Sequence, residues 1–169
     1  MSVYVGEWLH AKRHGQGYIK WHDGSSYTGK WEYNYSHGQG SLIYADSSCY
    51  EGEFKFNKAD GKGVYSYCNG SKYEGEWKED EPEGEGVMKW SDGERYEGQW
   101  QAGKKHGVGH IAFQDGSYYK GEFHSNEIHG KGTYNWKDEK EYEGEWEHNQ
   151  MAGSGKLTWE NGDVYEGQF

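Results

Sequence analysis

At 169 residues the chain has only 32% hydrophobic residues, a mean hydropathy of −1.27 and a net charge of −11, values that argue against an ordinary globular core and point towards disorder. The acidic balance excludes the basic footprint of a nucleic-acid binder and disfavours attachment to anionic membranes. No apolar run reaches the ~18 residues of a membrane helix, and two cysteines, Cys49 and Cys68, fit a reducing compartment better than a secreted disulfide framework.

Two features oppose disorder: 18% of the residues are aromatic, and the 28 glycines are regularly placed. After Met1-Ser2-Val3, a lead so short that no signal peptide is expected, a tyrosine opens a new unit every 23 residues without insertion. The units are 4–26, 27–49, 50–72, 73–95, 96–118, 119–141 and 142–164, with a partial unit 165–169. Counting each opening tyrosine as offset 0, offset 2 is always glycine, and offset 4 is aromatic (Trp8, Trp31, Phe54, Trp77, Trp100, Phe123, Trp146, Phe169). Offsets 11 and 13 are glycine, offset 15 is bulky (Ile19, Leu42, Tyr65, Met88, Ile111, Tyr134, Leu157), and offset 17 is again aromatic (Trp21, Tyr44, Tyr67, Trp90, Phe113, Trp136, Trp159). Each half of the unit therefore alternates with period two, which predicts two strands per unit. Helix is implausible with this much internal glycine.

The turns agree. Offset 7 is Asn, Asp or Gly in most units, and offset 19 is Asp or Asn, followed by Gly in most units, both of them hairpin signals. The lone proline, Pro82, is placed in a turn, where a missing N–H does no harm. Pairing offset 5 with offset 10 would set each offset 4 ring opposite the glycine at offset 11. Pairing offset 17 with the next opening tyrosine would set the next offset 4 ring opposite the glycine at offset 13. Large rings would then lie flat on backbone that carries no side chain. Fifteen such strands at ~4.8 Å spacing predict an elongated sheet roughly 65–70 Å long.

The pattern Tyr4-Val5-Gly6-Glu7-Trp8, His14-Gly15-Gln16-Gly17, Asp23-Gly24 resembles the MORN (membrane occupation and recognition nexus) repeat over essentially the whole chain. The resemblance implies an all-β fold: an elongated, single-layered, twisted antiparallel β-sheet of stacked hairpins. It also implies scaffold roles at cytoskeletal or membrane-associated structures, with a radial-spoke-head-like protein of the ciliary axoneme as the most specific reading. Some members carry a lipid kinase or methyltransferase domain beside the repeats; no sequence for one is present here. Ser47 and Glu139 depart from the loop glycine, and Asp60, Glu83 and Ala152 from the His at offset 10.

For function, the aromatic face carries the most weight. Offsets 0 and 4 are expected to hold the sheet together. A single layer leaves part of an apolar face open, which suits an amphipathic helix or extended segment of a partner protein, with Trp21, Trp90, Trp136 and Trp159 as the contact residues. The expected role is a non-catalytic, cytoplasmic, cytoskeletal scaffold without cofactor or metal. Peripheral lipid binding through Lys12, Arg13, Lys104 and Lys105 is the second reading, disfavoured by the net charge. Histidines at offset 10 (His14, His37, His106, His129) recur about 10 Å apart in adjacent units, too far for one zinc. Cys49 and Cys68 are expected as thiols rather than a bridge. The open ends predict a longer chain or end-to-end subunit contacts.

Overall fold

The computed structural model describes residues 2–169, which form fifteen β-strands and no helix. They divide into two compact units, one up to Glu83 and one from Gly84 to Phe169. The first holds β1 (Val3–Leu9), β2 (Lys12–Lys20), β3 (Ser26–Glu32), β4 (Tyr35–Ile43), β5 (Cys49–Lys55), β6 (Lys58–Ser66) and β7 (Lys72–Lys78), and β8 (Glu81–Lys89) begins at its end. The second continues with β9 (Arg95–Gln101), β10 (Lys104–Ala112), β11 (Tyr118–His124), β12 (Glu127–Asn135), β13 (Glu141–Glu147), β14 (Gln150–Thr158) and β15 (Val164–Gln168). Sheet order is sequence order, with antiparallel neighbours.

The register corrects the expected one. Tyr27 pairs with Leu42 and Gly29 with Gly40 as anticipated, but Trp31 then pairs with Ser36 rather than with the glycine at offset 11. The same slip recurs between Gly98 and Trp100 in the second unit, where Trp100 pairs with Lys105. The cause is a tighter turn. Only offsets 6 and 7 lie in it, and both have left-handed backbone, with φ of 47° and 79° at Tyr33 and Asn34 and 50° and 77° at Ser125 and Asn126. This is the type I′ geometry that matches strand twist. The surplus residues become a bulge at the offset 11 glycine, which is left-handed at Gly107 (φ 61°). A glutamate or glutamine at offset 3 satisfies the freed backbone. Glu7 Oε1 accepts from the Gln16 N–H at 2.8 Å, and Gln99 Oε1 from Val108 N–H at 3.0 Å.

Between units the expected pairing is also displaced by two. The next opening tyrosine lies opposite offset 15, as in Ile19 with Tyr27, and the next offset 4 ring opposite the glycine at offset 11, as in Gly15 with Trp31. Glycines at offsets 2 and 13 consequently face one another across successive strands, as in Gly6, Gly17, Gly29 and Gly40. The rings lying on this bare strip are the tyrosines, not the tryptophans. A Cβ on Gly40 would run into the hydroxyl and ring of Tyr27, and one on Gly109 would meet Tyr96. Tyr96, Tyr119 and Tyr142 are wholly buried. Each hydroxyl donates to the carbonyl three residues on, Tyr96 to Gln99 at 2.8 Å and Tyr27 to Lys30 at 2.9 Å. Burial holds these phenols well above their ordinary pKa.

Successive hairpins are also clamped tip to tip. The Asn or Asp at offset 7 accepts, through its side chain, the N–H at offset 9 of the preceding hairpin: Asn34 from Arg13 (2.8 Å), Asn57 from Ser36 (2.8 Å), Asn126 from Lys105 (2.9 Å) and Asn149 from Ile128 (2.8 Å). Its own N–H returns a bond to the same residue's carbonyl, as from Asn126 to Lys105 at 2.9 Å. Pro82 proves to be a strand residue, second in β8, at this same offset 9. Proline has no N–H to donate, and the following unit carries Gly103, without a side-chain oxygen, at offset 7.

Candidate functional site

The aromatic face is built from tyrosines and offset 4 rings packed edge to face. In the first unit Tyr27 meets Trp31 at 5.1 Å and Phe54 at 5.0 Å; in the second, Tyr96 meets Trp100 at 5.2 Å and Phe123 at 5.1 Å. Each tyrosine thus touches the offset 4 ring of its own hairpin and of the next, the favoured quadrupolar geometry. The indole N–H groups are used as well: Trp31 donates to Gly17 O (3.3 Å), Trp77 to Gly63 O (3.1 Å) and Trp146 to Gly132 O (3.1 Å). Offsets 0 and 4 therefore serve the sheet itself.

Offset 17 differs. Each residue there closes the loop between hairpins through its backbone N–H, as Trp136 does to Lys140 O at 2.8 Å, which leaves its ring at the margin of the packed face. Trp21, Trp90 and Trp136 are half-buried and Trp159 is 40% exposed. Tyr44 at the same offset has its phenol pushed up to about 12, by burial first and then by Tyr65, Asp80 and Asp46. These side chains stand in separate repeats. Trp136 lines a groove of about 500 Å³ together with Tyr134, Trp146, Asn149, Gln150, Met151 and Phe169.

The groove wall is held from behind. Ser117 Oγ donates to Asp115 Oδ1 at 2.6 Å, which holds that carboxyl below its usual pKa. With the Ser117 proton committed there, Tyr134 donates its own to Ser117 Oγ at 2.9 Å. Trp136 rests on Tyr134 at 4.6 Å, tilted by 47°. Sequence reasoning selected Trp136 but not Tyr134, Trp146, Met151 or Phe169. The available signal was the alternation within each strand, even for offset 4 and odd for offsets 9, 15 and 17, obscured for offset 9 because the expected register left it in the turn.

The basic turn residues are not equivalent to one another. Lys12 and Lys104 are exposed. Arg13 instead lays its guanidinium 4.2 Å from the Trp31 ring, and Lys105 Nζ stands 5.6 to 5.7 Å from Trp90, Tyr96 and Phe123. Burial lowers the pKa of Lys105, partly opposed by Glu94.

The opposite face of the second unit carries a larger polar concavity of about 1030 Å³ between Lys120, Lys131, Glu143, Glu145, Lys156 and Glu166, with both charge signs interleaved. At the hairpin tips His106, His124, His129 and His148 form a row with ring separations of 5.1, 5.9 and 5.9 Å. The residues at offsets 5 and 6 fill the gaps left by counting offset 10 alone. No group of three or more His, Cys, Asp or Glu is placed to hold a metal ion among the described residues. Both cysteines are free thiols, Cys49 half-buried and Cys68 exposed.

Comparison with protein families matches the MORN repeat at residues 4–26, 27–49, 50–72, 73–95, 96–118, 119–140 and 142–164. Comparison with curated proteins returns no match. Among solved structures the chain is similar to the TCP domain of SAS-4 (dCPAP) from Drosophila melanogaster, in complex with a proline-rich motif of Ana2. The identity is 13%, covering 92% of this chain and 85% of that one, with a TM-score of 0.55. The wild-type TCP10 domain of CPAP from Danio rerio is 12% identical over 92% of this chain and 90% of that one, with a TM-score of 0.24.

Proposed function

The chain belongs to the MORN repeat family, and from that premise we propose that it is a non-catalytic scaffold that docks a segment of another protein on its aromatic face, in a cytoskeletal assembly of the ciliary axoneme. The observation that carries the reading is that the offset 17 rings stand at the margin of the packed aromatic face, Trp21, Trp90 and Trp136 half-buried and Trp159 40% exposed, while offsets 0 and 4 are taken up by internal packing. A margin of half-exposed rings suits an extended segment, whose side chains the rings bury. The fly SAS-4 domain, which shares the fold, holds a proline-rich motif in its complex; this supports a peptide partner of that general kind. Trp90 and Trp159 provide further ring contacts in the second unit and Trp21 in the first, and radial-spoke-head-like placement is part of the proposal.

Crosslinking mass spectrometry of the chain in isolated axonemes tests it. The expected result is partner crosslinks on the lysines beside the groove, Lys137 and Lys140, that disappear in Trp136→Ala while the circular dichroism is unchanged. Crosslinks indifferent to Trp136, or absence of the chain from axonemes, would overturn it. The lipid reading is weakened because Lys12, Arg13 and Lys105 all stand against rings, leaving Lys104 for head groups.

A further inference from the structure

We propose that His106 and His124 bind one divalent transition-metal ion of the kind that imidazole prefers, such as Zn²⁺ or Cu²⁺. The site lies at the hairpin tips, at the step between β10 and β11, with β9 on one side and β12 on the other. It is independent of the docking function proposed above. The repeats themselves supply the comparison. Each offset 10 histidine of these hairpins meets a ring carried by the next hairpin. In the first unit that ring brings packing and no metal donor: Tyr33 stands 5.2 Å from His14, and Phe56 5.5 Å from His37. In the second unit the ring is an imidazole, His124 beside His106 and His148 beside His129. The same packing step there sets two nitrogen-bearing rings together.

Spacing selects one pair from the row. An ion bonded at about 2.0–2.1 Å to an imidazole nitrogen lies about 3.2 Å from the ring centre, so two imidazoles on one tetrahedral ion have centres about 5.2 Å apart. His106 and His124 stand at 5.1 Å. The other two steps are 5.9 Å and would have to close by about 0.7 Å. His148 is also committed, with Nδ1 2.7 Å from Glu127 Oε2. Neither His106 nor His124 has a hydrogen bond or ion pair among the described residues, so their nitrogens are available. His106 is half-buried and His124 exposed, so one ring is restrained by its surroundings while the other can turn a nitrogen towards the ion. No group of three or more His, Cys, Asp or Glu is placed to complete a shell among the described residues. Water therefore fills the remaining positions, and the ion is exchangeable rather than locked in a closed structural site. The chain's net charge of −11 draws cations towards it.

The probe is Zn²⁺ alone, added to the intact chain, with Mg²⁺ as the control because it prefers oxygen ligands. Two-dimensional NMR of the imidazole ring signals should show His106 and His124 shifting together with the first equivalent of Zn²⁺, and neither shifting with Mg²⁺. In calorimetry, His106→Gln and His124→Gln should each weaken zinc binding at least about tenfold, since losing even a group behind a ligand costs that much. His22→Gln, in an exposed loop, should leave it unchanged. Circular dichroism of the variants should match the parent. Zinc shifts confined to His129 and His148 would overturn the choice of pair. An equal response to Mg²⁺ would mean that carboxylates hold the ion and would overturn the imidazole site. No zinc shift at His106 and His124 in the parent chain would overturn the site outright, whether or not the variants fold. None of these failures touches peptide docking on the aromatic face.

Discussion

Substituting Gly109 by alanine puts the ring-on-backbone contact to a direct test. A Cβ there would lie 2.5 Å from the Tyr96 hydroxyl and 2.6 Å from its Cε2, while Tyr96 itself is wholly buried. The backbone of Gly109 is not left-handed, so the substitution adds crowding without a conformational penalty. The ring has no free volume to move into. Overpacking of this kind costs about 1–3 kcal/mol, and loss of the Tyr96 bond to Gln99 O adds about 1 kcal/mol. A total of about 3 kcal/mol corresponds to a fall in Tm of about 6–12 °C for a chain of this size. Gly116→Ala is the control: it has no neighbour within 4 Å of the added Cβ but sits at φ +92°, so it carries only the left-handed penalty of about 1–2 kcal/mol. Thermal melts followed by far-UV circular dichroism should rank Gly109→Ala clearly below Gly116→Ala. Because the hydroxyl is the nearest atom, Tyr96→Phe should partly rescue Gly109→Ala, giving a coupling of about 1 kcal/mol in the double-mutant cycle. A Gly109→Ala chain that melts within about 2 °C of the parent would refute the assignment of these glycines to tyrosine packing.

Asn126→Ala removes the acceptor for Lys105 N–H and places alanine at φ 77°, so it should cost about 2 kcal/mol by urea unfolding, against a few tenths for Glu160→Ala in an exposed loop. The phenols of Tyr27, Tyr50, Tyr96 and Tyr119 are raised in the folded chain, so their stabilisation is complete below pH 10 and is lost as pH climbs beyond it, because only the unfolded chain ionises there. Phenolate absorbance should accordingly show a class of tyrosines that titrates only together with loss of the circular dichroism signal. Vesicles containing phosphatidylserine should fail to sediment the chain at physiological salt, and Lys12→Ala with Lys104→Ala should leave that result unchanged.

The strands were legible in the sequence because two parities of the same 23-residue pattern survive in every unit. Register was not. Glycines at both offsets 11 and 13 satisfy either alignment, and what decides between them is a left-handed residue at offset 6. That position is filled by His10, Tyr33, Phe56, Glu79, Ala102, Ser125 and His148, none of which signals such a backbone. The same slip hid the role of offset 9. Lys105 follows Lys104 in a charged turn and reads as a solvated pair, yet the bulge turns it onto three rings. Pro82 reads as a turn residue for the same reason and belongs to a strand. Of the groove, only Trp136 could be chosen, because its partners come from three neighbouring units.

The tip-to-tip bonds also bear on how such a chain changes through evolution. Each spans 21 residues, from the donor of one hairpin to the acceptor of the next, so excising or duplicating a whole multiple of 23 residues keeps that spacing and, except beside Pro82, returns a donor to every acceptor. Any other insertion strands an asparagine. Duplication or loss of whole repeats can therefore lengthen or shorten the molecule in fixed increments while reusing the same contact, whereas an insertion of any other length breaks the clamp.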